Sequence, residues 1–119
     1  GLLRAVKLTK RAAVIGFDWE NVDPVFEKMQ EELIELKEAV KDGRKSRIKD
    51  ELGDVLFVAS NLARHLQIDP ELAIRHANKK FDRRFRAVEN KAKMQHPNQS
   101  NFDLQLLEKL WIEIKKHES

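Results

Sequence analysis

The chain has 119 residues, 41% hydrophobic and 36% charged, with 23 Lys and Arg against 20 Asp and Glu. That makes one domain with a single core, and a net charge of +3 with both signs interspersed does not describe a nucleic-acid-binding face. With no cysteine there is no disulfide framework and no thiolate metal site; no apolar run reaches membrane-spanning length and no signal-peptide pattern is present, so the expected location is cytoplasmic.

No Val/Ile/Thr-rich alternating run reads as a strand, and the fold class expected is all-α. The chain opens at Gly1 rather than Met, which suggests either a trimmed chain or a domain cut from a longer protein. Residues 2–14 read as a short leading helix with Leu2, Leu3, Val6, Ala13 and Val14 apolar and Arg4, Lys7, Lys10 and Arg11 basic, closed by Gly16. This suggests a division into a leading helix or linker over 1–16 and a main domain over 17–119. Phe17-Asp18-Trp19 follows as a loop. Its Trp19 either stacks on a base or plugs a core edge, and the plug is the commoner use.

Asp23-Pro24 starts the first long helix, with Asp23 as N-cap and Pro24 at the first helical position. Its apolar stripe is Val25, Met29, Leu33, Leu36 and Val40, and it ends near Val40 or Lys41. Gly43 suits the left-handed closing conformation and Ser46 the cap of a second long helix, from about Arg47 to Leu66. There the stripe is Ile48, Leu52, Val55, Leu56, Ala59, Leu62, Ala63 and Leu66.

The two helices match at an offset of about nineteen residues. Lys28 aligns with Arg47, Glu31 with Asp50, Glu32 with Glu51, Leu33 with Leu52 and Glu35 with Asp54. Each helix thus carries an acidic i,i+3 pair, Glu32/Glu35 and Glu51/Asp54, at the edge of its stripe. A short turn makes the helices antiparallel, with Glu35 level with Glu51 and Glu32 level with Asp54. Four carboxylates then converge, and their repulsion raises their pKa values unless a cation compensates. An all-oxygen set suits Mg²⁺ or Mn²⁺ rather than Zn²⁺. One E-x-x-E is usually a solvated face; a second pair in register on the same flank is much rarer by chance. Gly53, costing about 1 kcal/mol against Ala inside a helix, suggests the close approach of a backbone or a ligand.

Asp69-Pro70 repeats the cap-plus-proline start for a third long helix, to about Lys91, with Ile74, Ala77, Phe81, Phe85 and Val88 as its stripe. Lys80 and Arg84 share one flank, able to reach phosphate oxygens; Lys79, Arg83 and Arg86 point away as a solvated face. Residues 92–101 read as a polar loop. Ser100 and Asp103 resemble a capping box before a last helix, about 102–116, that buries Leu104, Leu107, Trp111 and Ile114. Trp111 is core on spacing alone, although a nucleotide could partner its indole N–H. The sum is a bundle of four main helices. The four histidines are scattered without metal-ligand spacing, and no Gly-rich phosphate loop is present.

The E-E-x-x-E and E-x-x-D motifs, joined to G-F-D-W upstream and A-N-x-K-F-x-R-R-F downstream, resemble the MazG family of nucleoside triphosphate pyrophosphohydrolases from about Leu3 to Trp111. The match is nearest to the C-terminal domain of two-domain members. The resemblance implies a homodimer and Mg²⁺-dependent hydrolysis of a nucleoside triphosphate to monophosphate and pyrophosphate, serving nucleotide-pool housecleaning. It implies metal ligation by Glu32, Glu35, Glu51 and Asp54, and a water deprotonated by Glu35 or Glu38 attacking a phosphorus in line. It further implies nucleotide contacts, ATP among the substrates, at Lys28, Glu31, Arg47, Asp50, Lys80, Arg84 and Trp111. Arg47 and Asp50 stand where the family usually has Lys and Glu. The alternatives are a narrower enzyme, acting on dUTP or a modified nucleotide, and a catalytically idle helical interaction domain.

Overall fold

The structure, a computed structural model, describes residues 1–118. Five helices form among them: α1 (Leu2–Val14), α2 (Asp23–Asp42), α3 (Lys45–His65), α4 (Pro70–Gln95) and α5 (Leu104–His117). The all-α class holds, with a leading helix followed by four longer or comparable ones. The leading segment is a full three-turn helix that packs against α3. None of the helices is long and apolar enough to cross a membrane.

The chain divides into two compact units, Gly1–Ala73 and the remainder from Ile74, so that the boundary falls in the first turn of α4. In the first unit α2 and α3 form a hairpin. Its closure is as expected: Gly43 sits at φ 81° and its N–H donates to the Ala39 carbonyl, a left-handed conformation that costs glycine nothing sterically. The start of α2 differs. The residue before the helix is Val22, and the Asp23 N–H donates to Asn21 Oδ1 at 3.0 Å, so the cap comes from two residues upstream. Ser46 does not cap α3, because the helix begins a residue earlier; Arg44 holds the cap position in an extended conformation without a side-chain bond. Asp69 does what its position promised, accepting the Glu71 N–H at 2.9 Å. Helix α4 runs to Gln95, past the expected end, and Asp103 precedes α5 without a side-chain cap bond.

The buried line of α2 is Val25, Glu32 and Ala39, one residue in seven. This corrects the expected stripe: Leu33 and Val40, one position further on, are exposed, and so are Leu52, Leu56 and Leu66 on α3. The apolar band on each helix is wider than its packed seam, and the surplus faces outward. On α3 the buried positions are Val58, Ser60 and Asn61, and Ser60 Oγ donates to the Leu56 carbonyl at 3.1 Å. In the second unit Val88, Ala92 and Leu110 form the buried centre, with Phe102, Leu107, Trp111 and Ile114 packed around it. Leu104 was expected in this core; it is 67% exposed, and Leu110 takes the inward position.

Candidate functional site

The hairpin brings together the carboxylates of both acidic pairs. Glu32, Glu35 and Glu51 each offer an oxygen within 4.8 Å of the others, and Asp50, Glu51 and Asp54 do the same, with Glu51 common to both groups. Two helices supply this set because the i,i+3 spacing leaves each pair on one side of its helix and the short turn sets them face to face.

Glu32 is the most deeply set, 5% exposed in the middle of the α2 seam rather than at the edge of the stripe. Lys28 Nζ stands 3.1 Å from its Oε1 and 3.6 Å from Glu31 Oε2. One cation does not serve the group. Glu32 Oε2 and Glu51 Oε2 are buried without any hydrogen-bond partner among the described residues. Leaving a buried acceptor unmade costs about 1–3 kcal/mol, more for a charged group.

The electrostatics agree. The Glu32 carboxylate, with burial and then Glu51 adding to it, holds the Glu35 carboxyl above its usual range. Burial, followed by the charges of Asp50 and Glu32, raises Asp54 against the opposing pull of Lys28. Lys28 itself is raised, chiefly by its bond to Glu32. Several anionic groups, one nearby ammonium and two orphaned buried oxygens form a donor set suited to a hard divalent cation.

Of the remaining candidates, Arg47 Nη1 lies 3.7 Å from Asp42, which also binds Arg44 Nε at 2.6 Å, so Arg47 is engaged at the hairpin turn. Glu38 is exposed and belongs to neither carboxylate group. Among the described residues nothing comes within 4 Å of a Cβ built on Gly53, so none of them makes the close approach expected of a backbone or a ligand.

The second unit holds the other candidates. Arg84 binds Glu118 through Nε at 2.9 Å and Nη2 at 2.7 Å, and its guanidinium lies 5.9 Å from the Trp111 ring centroid. Phe81 packs on Trp111 at 5.4 Å and on Phe85 at 6.1 Å. Arg83 reaches Glu118 more loosely, at 3.4 Å, with its side chain 65% exposed against 17% for Arg84, so the two flanks differ as the helical wheel requires. Lys80 is half-buried, with no ion pair among the described residues.

Sequence reasoning overlooked Glu118, the counter-ion of Arg84, and the node at the end of α3. There Asp18 Oδ1 accepts from Arg64 Nη2 at 2.7 Å and lies 3.0 Å from His65 Nε2, while Arg64 Nε donates to Asn61 Oδ1 and Thr9 Oγ1. The only signal was the acid between two aromatics in Phe17-Asp18-Trp19. Trp19 does not plug the core; it lines an open cavity with Phe17 and Phe57.

The family model for the MazG nucleotide pyrophosphohydrolase domain matches residues 21–89, which contain every residue of the carboxylate groups. The chain is 40% identical over 98% of its length to the nucleoside triphosphate pyrophosphohydrolase of Escherichia coli K12, of which it covers 45%. It is 39% identical over 96% of its length to the nucleoside triphosphate pyrophosphohydrolase/pyrophosphatase MazG of Thermotoga maritima, covering 44%. It is 41% identical over 60% of its length to the uncharacterised protein YabN of Bacillus subtilis, covering 14%. The chain thus spans under half the length of these curated relatives.

Proposed function

Since the chain belongs to the MazG nucleotide pyrophosphohydrolase family, we propose that it hydrolyses nucleoside triphosphates to the monophosphate and pyrophosphate with Mg²⁺, or Mn²⁺, at the α2–α3 carboxylates. The observation that carries this is the pair of orphaned buried oxygens on Glu32 and Glu51, within a set of acidic side chains under 5 Å apart. Glu32, Glu35, Glu51 and Asp54 are the ligands. When bound, the ion neutralises phosphate charge and lowers the pKa of a water.

The protein's own groups divide the remaining work. Lys28 is held at the rim by Glu32 and offers its ammonium to a phosphate oxygen. Glu35, exposed beside Glu32 and Glu51, takes the proton of the attacking water in this reading. Glu38, exposed and outside both carboxylate groups, is the weaker candidate for that step. Glu31, Arg47 and Asp50 line the triphosphate path on the two helices. The family resemblance assigns nucleotide contacts to Lys80, Arg84 and Trp111 as well.

A homodimer is part of the same reading. Leu33, Ile34, Leu52 and Leu56 are large apolar side chains exposed on the α2–α3 hairpin, and an apolar face of that kind marks an association surface. A cytoplasmic enzyme that clears unwanted nucleotides fits this chemistry. Pyrophosphate release from a panel of nucleoside triphosphates with Mg²⁺, repeated in EDTA, tests the reading. Release that continues undiminished in EDTA would defeat it, and no release at all would favour the idle interaction domain.

A further inference from the structure

We propose that the cavity between α1, the loop at Gly16–Trp19 and α3 is the nucleobase site of the enzyme, with Asn61 as the residue that reads the base edge; this rests on the pyrophosphohydrolase reading. The cavity has a volume of about 350 Å³ and a mostly apolar wall that includes Leu8, Phe17, Trp19 and Phe57. That is within the size of small-ligand pockets, and aromatic walls around few polar groups are how such pockets hold flat rings.

The cavity and the carboxylates draw residues from the same helix. Asp50, Asp54, Phe57 and Asn61 are spaced i, i+4, i+7 and i+11 on α3 and share one face. Asp50 and Asp54 belong to the acidic group, whereas Phe57 and Asn61 line the cavity. At about 1.5 Å per residue, Asn61 lies roughly 10 Å along the axis from Asp54. A nucleotide whose phosphates lie at the carboxylates therefore carries its base toward Phe57 and Asn61.

The polar chemistry of the cavity follows from its hydrogen bonds. Asn61 is 7% exposed, and its Oδ1 accepts from Arg64 Nε at 3.0 Å. Arginine can only donate, so the amide must present its oxygen to Arg64 and its NH₂ elsewhere. That NH₂ has no partner among the described residues, and Asn61 lines the cavity. Thr9 Oγ1 is already engaged, donating within α1 and accepting from Arg64. An acceptor entering the cavity, such as a carbonyl oxygen or ring nitrogen of a base, can take that donor.

The test is side-chain NMR of the full chain titrated with nucleoside 5′-monophosphates, using ribose 5-phosphate as a control that keeps sugar and phosphate but lacks the base. The Trp19 indole N–H and the Asn61 amide protons should shift with the monophosphates and stay in place with ribose 5-phosphate. In turnover, Trp19→Ala and Asn61→Asp should each raise KM for nucleoside triphosphates about tenfold with kcat largely kept, as loss of one stacking or hydrogen-bonding contact requires. Trp19→Phe, which keeps a stacking ring and guards against a collapsed loop, should recover most of that affinity. Shifts confined to Trp111, equal shifts with ribose 5-phosphate, or unchanged KM in both variants would overturn the assignment. So would a Trp19 signal that moves with protein concentration instead of nucleotide, which would give the cavity to a second copy of the chain. If the wild type releases no pyrophosphate, the function fails separately, while the titration still decides the cavity.

Discussion

The carboxylates of α2 and α3 and the basic cluster of α4 and α5 are charged sites of opposite sign in opposite conditions. Around Arg84 the charge is compensated: Glu118 takes two guanidinium donors, Trp111 offers its ring, and Phe81 packs on Trp111. Around Glu32 demand outruns supply, with buried oxygens unbonded, Glu35 raised chiefly by the Glu32 charge and Asp54 raised chiefly by burial. A compensated charge is stable as it stands and must be released before it can bind anything else. An uncompensated group of like charges gains stability only when a cation arrives. The first is a site held closed by the protein's own chemistry, the second a site held open.

The contrast breaks most visibly at the metal ligands. Glu35→Ala and Asp54→Ala should each cut pyrophosphate release more than about a hundredfold, beyond the usual loss for an outer-shell partner of a metal, with the metal-free fold intact because a like charge has been removed. Near-normal turnover in either variant would mean that the acids do not hold the ion. Next comes stability. Mg²⁺ at a hundred times its Kd should add about 2.7 kcal/mol to the native state, seen as a melting temperature several degrees higher, with a further rise on adding a non-hydrolysable nucleoside triphosphate. Glu32→Gln/Asp54→Asn should lose both increments; a double mutant that responds like the wild type would show that the repulsion is not what the ion relieves.

On the compensated side, Arg84→Ala and Lys80→Ala should weaken nucleoside triphosphate affinity about tenfold, the worth of a charge-assisted hydrogen bond, while Arg83→Ala changes it little. Equal losses at Arg83 and Arg84 would erase the distinction between the two flanks. The smallest effect is expected at Asp18. Arg64, and then His65 and the Trp19 N–H, hold its carboxyl below the ordinary 3.8 against a burial effect that raises it. A depressed carboxylate stabilises the fold above its unfolded pKa and loses that contribution as pH falls through the folded value. Asp18→Asn should therefore melt lower than wild type at neutral pH, by a difference within about 1 kcal/mol, and the two curves should converge below pH 3.8. A gap that persists in acid would assign the effect to packing against Arg64, His65 and Thr9 instead of to charge.

Local regularities made much of this readable. The 3.6-residue period located α2, α3 and α4, Gly43 closed the hairpin, and two i,i+3 pairs at a fixed offset placed Glu35 beside Glu51. What escaped depends on contacts that spacing does not encode. Nothing local ties Asp18 to Arg64, 46 residues on, or Thr9 to Arg64, 55 residues on. The rotation of α2 that buries Glu32 and exposes Leu33 is decided by which part of a broad apolar band meets the neighbouring helix, and adjacent apolar positions look alike in sequence. Glu118 was invisible for a related reason: an acid just past a helix end has no periodic signature until the basic helix it meets is in place.

The seven-residue seam of α2 has an evolutionary side. Val25 and Ala39 are ordinary occupants of such a seam, and Glu32 between them is the charged residue in the buried line of α2. Exchanging an ill-matched buried charge for an apolar side chain commonly strengthens a fold by about 1–4 kcal/mol, a gain that melting of Glu32→Leu would measure directly. A copy of this domain freed from catalytic duty therefore has a downhill route to a sturdier, inert scaffold through a single position. Retention of Glu32 is thus a sharper sign of continuing selection for chemistry than retention of any exposed acid on the same hairpin.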